Sequence, residues 1–282
     1  MKLTFFGGAG IVTGANYLLE SDGGDKILVD CGLIQSGHNS DKDNFAPFPY
    51  DLKDIKGVFI THAHIDHTGR LPKLYKEGYR GPIYSTPPTR DFARDLLLDS
   101  EGILSREAER EKREPIYNAK DVLGIISLWK GLEYNTTIKV GSFSITLVNS
   151  GHILGSSSIV VEGDEKTIVF SGDLGNVNPP LIREWTPLQV HATYCLVESA
   201  YGDRLHEDLE KREDLLEDVI EDAVKSGGVL MIPAFALERI QVLLYHLDAL
   251  IENGRIPRIP VFVDSPLAIK LTSVYEKYLN YF

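Results

Sequence analysis

The sequence predicts an α/β protein built in two parts. Three patterns carry that reading: short β-branched runs that end in Gly, Asp or His, charged helical stretches between them, and a regular helix–strand alternation beyond about residue 202.

The runs Ile27–Asp30, Val58–Thr61, Phe143–Asn149, Ser158–Glu162, Thr167–Gly172 and Tyr194–Glu198 are nearly continuous in apolar side chains, the pattern of strands buried on both faces. Helical spacing fills Thr89–Arg113 and Asn118–Lys130, and the charge run Arg106–Glu114 reads as a solvated face. From Glu207 to Lys225, apolar pairs at Leu215/Leu216, Val219/Ile220 and Ala223/Val224 recur at helical spacing opposite a mostly acidic face. A strand (Val229–Pro233), a helix (Ala236–Glu252), a strand (Val261–Asp264) and a helix (Pro266–Tyr281) follow, as expected of parallel α/β units. The character changes near residues 202–206, so residues 1–203 and 204–282 are read as two domains.

Composition excludes several classes. The 282 residues, 43% of them apolar, suffice for a packed core. No stretch approaches the roughly 20 apolar residues of a membrane span, and MKLTFFGGAG lacks the layout of a signal peptide, so a soluble, cytoplasmic protein is expected. Cys31 and Cys195 form neither a disulfide framework nor a CxxC site and read as packing residues. The net charge of −12, with both halves acidic, excludes a broad basic nucleic-acid platform. It does not exclude a cleft whose local charge is set by bound divalent cations.

The Gly-rich run from Phe6 to Gly14 imitates a dinucleotide fingerprint, with Asp30 downstream. Its glycines are spaced GxGxxxG, and Asn16–Glu20 reads as a strand rather than a helix, so a tight turn between strands is expected. The informative segment is Thr61-His62-Ala63-His64-Ile65-Asp66-His67-Thr68-Gly69. Three imidazoles and a carboxylate directly after a buried strand are poor core fillers, and α/β proteins place their sites at such strand ends. His62 and His64, two apart in an extended loop, can turn to one ion, while Asp66 and His67 face a second position. Imidazole and carboxylate without thiolate suit zinc and similar divalent ions. Asp30, His152 and Asp173 repeat the pattern, each a polar group beside glycine at the end of an apolar strand.

Asp30, the His62–His67 run, His152 and Asp173 together resemble the first four motifs of the metallo-β-lactamase fold, in order. The resemblance implies an αββα sandwich. It also implies two Zn²⁺ ions, one held by His62, His64 and His152 and the other by Asp66 and His67, with Asp173 bridging them and Asp30 orienting the site by hydrogen bonds. Val197-Glu198-Ser199-Ala200-Tyr201-Gly202-Asp203-Arg204 is similar to the first signature of the β-CASP branch, whose members are nucleases, mostly RNA-processing ones related to the cleavage and polyadenylation specificity factor. Ile232–Gln241 and Val263–Ala268 are similar to segments of the β-CASP insert. Residues 1–203 would then be the amino-terminal portion of the sandwich and 204–282 part of the insert. Read locally, Pro233 and Pro266 start helices and Gln241 is a solvated helix position.

The family activity implied is hydrolysis of single-stranded RNA by a metal-activated hydroxide, with Asp66 and Asp173 in the catalytic centre. Glu198 would assist proton transfer and Arg239 would contact phosphate. The family's later His motifs find no match in His38, His191, His206 or His246, so a truncated chain is expected, completed by a homodimer partner or another subunit. His246 reads as a helix-surface or core-edge residue. Two alternatives remain: a small-molecule metallohydrolase of the thioesterase or lactonase type, and a catalytically silent scaffold that binds RNA or protein.

Overall fold

β-branched runs with apolar residues on both faces make two sheets in the first part of the chain. A computed structural model describes residues 1–35, 40–205 and 211–282. His38, His206 and the first residues of the helix expected from Glu207 lie outside the described residues. In the first sheet β1 (Lys2–Phe5), β2 (Tyr17–Glu20) and β3 (Lys26–Val29) run antiparallel. β4 (Ile55–Phe59), β5 (Ile83–Ser85) and β6 (Trp129–Gly131) then extend the sheet parallel to β3. The second sheet holds β7 (Thr137–Val140), β8 (Phe143–Asn149), β9 (Ser157–Gly163) and β10 (Lys166–Phe170) in antiparallel order. β11 (Tyr194–Leu196) lies parallel to β10 at its edge.

The period of two along each strand decides the core. Leu19, Ile27, Val29 and Phe59 of the first sheet pack with Phe143, Ile145, Leu147, Ile159, Val161, Ile168 and Phe170 of the second. Leu28, Val58 and Ile83 are register neighbours across β3, β4 and β5 and are fully buried on the opposite face. Of the helices α1 (Ser40–Phe45), α2 (Ile65–Thr68), α3 (Leu71–Lys76), α4 (Pro87–Glu111) and α5 (Ala119–Ser127), α3 and α4 pack on α5, α2 packs on α4, and α4 also meets β6. Burying each such side chain contributes about 1.5–3 kcal/mol. On the second sheet's outer face, Leu188 of the long segment before β11 covers Val148, Val160 and Val169.

Local chemistry sets the helix ends. Thr86 caps α4 by accepting from the Thr89 N–H, and Pro87 fits the first turn, so the helix starts ahead of the expected Thr89. Asn118 and Asp121 form a reciprocal capping box on α5. Trp129 and Lys130, read as the end of that helix, instead belong to β6. The Gly-rich segment between β1 and β2 is a broad loop rather than a tight turn, with Gly8, Gly10 and Gly14 at positive φ.

The chain packs as two compact units that divide between Glu198 and Ser199. The second contains α6 (Arg212–Ser226), α7 (Arg239–Glu252) and α8 (Pro266–Lys277), with α6 and α7 packed around Ile220, Leu247, Leu250 and Ile256. The strands expected at Val229–Pro233 and Val261–Asp264 do not form. Both segments run without ladder partners, and Val229, Met231 and Phe262 are 85% exposed or more. A β-rich run states only that its side chains suit a pleated surface, and a strand needs a neighbour as well. Gln241 is buried rather than solvated, its Nε2 donating to the Ala236 carbonyl at 3.1 Å and to Thr272 Oγ1 at 3.0 Å. His246, partly buried, pairs with Glu213 at 2.8 Å.

Only one cysteine packs as expected. Cys31 is fully buried, while Cys195 is exposed because β11 is the edge of its sheet. Burial pushes the Cys31 thiol up to about 12. A disulfide-exchange reagent at pH 8 is therefore expected to titrate one thiol rapidly in the folded chain and two after denaturation. Phe143→Ala, which removes a fully buried ring from the inter-sheet core, is expected to lower stability by about 3–5 kcal/mol in urea unfolding.

Candidate metal centre

Every polar residue that the sequence places beyond a strand end in the first unit lies on one rim of the two sheets. β4 runs through Ile60 and Thr61 into the loop carrying His62 and His64, and α2 then carries Asp66 and His67. β3 ends at Asp30, β8 leads to His152, β10 to Asp173 and β11 to Glu198. Two glycines let these loops close. A Cβ on Gly32 would stand 1.5 Å from the Asp66 carbonyl oxygen, and one on Gly175 would stand 1.7 Å from that of Gly151.

The side chains converge in two groups. His62 Nε2 lies 3.0 Å from His64 Nδ1, which lies 3.2 Å from His152 Nε2. Asp173 Oδ2 stands 3.6 Å from His62 Nε2 and 3.5 Å from His152 Nε2, and one atom from each of the four residues fits within a 4.8 Å span. On the other side, His67 Nε2 lies 3.3 Å from Asp173 Oδ1 and 3.7 Å from Asp66 Oδ2. The two oxygens of Asp173 thus face different donor groups.

Hydrogen bonds fix the imidazoles from behind. Asp30 Oδ2 accepts from His67 Nδ1 and from Thr61 Oγ1, both at 2.8 Å, and Asp30 Oδ1 accepts from the Thr61 N–H at 2.8 Å. Thr61 Oγ1 also lies 3.1 Å from His62 Nδ1, placed to accept its proton and leave the Nε2 lone pair facing the cluster. Ser156 Oγ accepts from the His152 N–H at 3.0 Å and holds that loop. Glu198 Oε1 accepts from the Leu174 N–H at 2.7 Å, which brings its carboxylate to the Asp173 loop.

Burial drives the electrostatics. It holds His62 well below its ordinary value, lowers His64 against the pull of Asp66 and Asp173, and pushes His152 down to about 4. For His67 burial acts the same way but is overcome by Asp30 and Asp173, so the ring is held well above its ordinary value. Burial would raise Asp173, yet His62 and His67 keep its carboxylate ionised well below the usual range. Three neutral imidazoles and an ionised carboxylate around one point fit a divalent ion, whose ligands must be deprotonated.

The structure brings together Asp30, His62, His64, Asp66, His67, His152, Asp173 and Glu198. Arg239 is the first residue of α7 in the second unit, and His191 is exposed. Sequence reasoning missed Thr61 and Ser156, whose hydroxyls look like ordinary strand-end residues. The only available signal was the position of Thr61 immediately before the His run.

Two facing sheets with a His/Asp donor cluster on their strand-end loops define a metal-binding α/β sandwich. The chain belongs to the metallo-β-lactamase superfamily, whose profile matches residues 10–222, and the Beta-Casp domain profile matches residues 240–282. It is 37% identical to Ribonuclease TTHA0252 of Thermus thermophilus over all of this chain and 62% of that protein. It is 32% identical to the transcription termination factor FttA of Methanosarcina mazei, over 99% of this chain and 44% of that protein. It is 30% identical to cleavage and polyadenylation specificity factor subunit 3-I of Arabidopsis thaliana, over 96% of this chain and 39% of that protein. The chain therefore spans from about two fifths to three fifths of the length of these relatives. Among the described residues no helix is long and apolar enough to cross a membrane.

Because Asp173 faces both donor groups, Asp173→Asn is expected to lower divalent-metal uptake in equilibrium dialysis more than Asp66→Asn does. Equal losses in the two variants would show that Asp173 serves one group alone.

Proposed function

We propose that the chain carries the catalytic centre of a zinc-dependent, cytoplasmic ribonuclease that hydrolyses phosphodiester bonds of single-stranded RNA in RNA processing or decay. The observation that carries the reading is the division of the Asp173 carboxylate between two donor groups, the arrangement a two-ion hydrolytic centre requires. The names of the relatives, a ribonuclease and a cleavage-factor subunit among them, support RNA as the substrate.

In this reading His62, His64, His152 and Asp173 would hold one Zn²⁺, and Asp66, His67 and Asp173 would hold the other. When bound, the ions supply Lewis acidity for the phosphoryl group and acidify the attacking water. Asp30 keeps the His67 Nδ1 proton engaged so that Nε2 faces inward, and Thr61 does the same for His62. Asp66 and Asp173 concentrate negative charge where cations are needed, which makes the site an attractor for phosphate only once it is loaded. Glu198, beside the Asp173 loop, takes part in proton transfer to the leaving 3′-oxygen, leaving a 5′-phosphate on the other product. Arg239 contacts a phosphate of the RNA.

Labelled single-stranded RNA incubated with the chain and Zn²⁺ is expected to be cleaved, with activity lost in chelator and reduced at least about 100-fold in Asp66→Ala. RNA left intact while a thioester or lactone is hydrolysed would assign the centre to small-molecule chemistry. RNA bound but never cut would make the chain a scaffold.

A further inference from the structure

Asp30 does two things that rarely go together. Its carboxylate accepts three hydrogen bonds at the centre, and its backbone sits at φ +57°, a region that residues with a Cβ seldom occupy. Its N–H still donates to the Phe59 carbonyl at 2.9 Å, continuing the parallel β3–β4 ladder. Its carbonyl does not continue it and accepts instead from Asn16 Nδ2 at 2.8 Å.

Asn16 is fully buried at the start of β2, and its Oδ1 accepts from the Tyr50 hydroxyl at 2.9 Å. The Asp30 carbonyl can only accept, so the Nδ2 end of the amide faces it and Oδ1 is left to take the Tyr50 proton. The Tyr50 ring is itself wedged between Phe6, with ring centroids 5.1 Å apart, and Phe48, at 5.5 Å. Burial holds its hydroxyl well above the usual tyrosine value, so it remains a donor. Neighbouring bonds tie the same loop down: Asn44 brackets the Ile34 backbone, accepting at 2.9 Å and donating at 2.8 Å, and Arg70 Nε donates to the Gly32 carbonyl at 2.6 Å.

We infer that Asn16 and Tyr50 are positioning residues of the metal centre: Tyr50 orients the Asn16 amide, Asn16 pins the left-handed Asp30 backbone, and the pinned backbone aims the Asp30 carboxylate at Thr61 and His67. The inference rests on the metal-centre reading given above. Neither residue touches the donor atoms, so both act through Asp30. A purely structural role would lower stability without altering His67.

The test uses the full chain stripped of metal by chelation, with Tyr50→Phe, which keeps the ring and loses only the hydroxyl, and Asn16→Ala. Zn²⁺ affinity is measured by competition with a chromophoric chelator, apo stability by thermal unfolding, and the His67 Nδ1–H resonance by NMR of the histidine-labelled chain. Expected are a loss of affinity of about 10-fold for Asn16→Ala and about 3-fold for Tyr50→Phe, and an upfield move of the low-field His67 resonance in both. Tyr50→Phe should leave the apo midpoint nearly unchanged. Unaltered affinity in both variants, or a His67 resonance that stays in place, overturns the inference. An unsubstituted chain that takes up no Zn²⁺ defeats the metal-centre reading instead, and the His67 resonance then still decides whether Asn16 and Tyr50 aim Asp30.

Discussion

An imidazole can lend one nitrogen to a metal only if the other keeps its proton, and the 2.8 Å bond to Asp30 holds that proton on His67 Nδ1 in this chain. Much of the first unit follows from it. Val29 of β3 lies in register with Phe59 of the parallel β4, so the residues that continue the two strands emerge side by side, Asp30 next to the Ile60–Thr61 step. The chain then turns through His62 and His64 into α2, which returns His67 over Asp30. An antiparallel pairing of β3 and β4 would send these two ends to opposite rims of the sheet and leave the carboxylate without its partner.

The second sheet contributes the complementary half. His152 and Asp173 leave β8 and β10 at the same rim, and Asp173 is the group that contacts both the His62 side and the His67 side. Placing imidazoles this close is unfavourable when they are charged. The fold answers by burying three of them so that they stay neutral, and by surrounding the fourth with Asp30 and Asp173. The centre thereby has a charge pattern before any ligand arrives: neutral nitrogen on one side, carboxylate on both.

The donors were legible in the sequence because their chemistry has no bland explanation. Three His and an Asp after a β-branched strand cannot be core filler, and His152 and Asp173 share the strand-end glycine context. The six strands read from apolar runs also appear, Phe143–Asn149 with its ends unchanged and the others with ends shifted by no more than three residues. What stayed hidden depends on pairing across long separations. Asn16 meets Asp30 and Tyr50 only after β2 and β3 have paired, and nothing in the local sequence marks it. Val229–Pro233 and Val261–Asp264 carry the same β-branched signal as Ile27–Asp30, but only the last finds neighbouring strands in the described structure. Cys195 looked like a core residue for the same reason: its strand is real, and its position at the sheet edge is not written in its neighbours.

The donor cluster also has a mechanical meaning. His62, His64, Asp66 and His67 hang from the first sheet and His152 and Asp173 from the second, and the sheets meet through an apolar core and a few hydrogen bonds, such as that from the Ser157 N–H to the Thr61 carbonyl at 2.8 Å. An ion shared by both sets would act as a rivet across that seam, adding about 2.7 kcal/mol if present at 100 times its dissociation constant. The supply of metal would then enter the balance between the folded and the unfolded chain as directly as any packed side chain does.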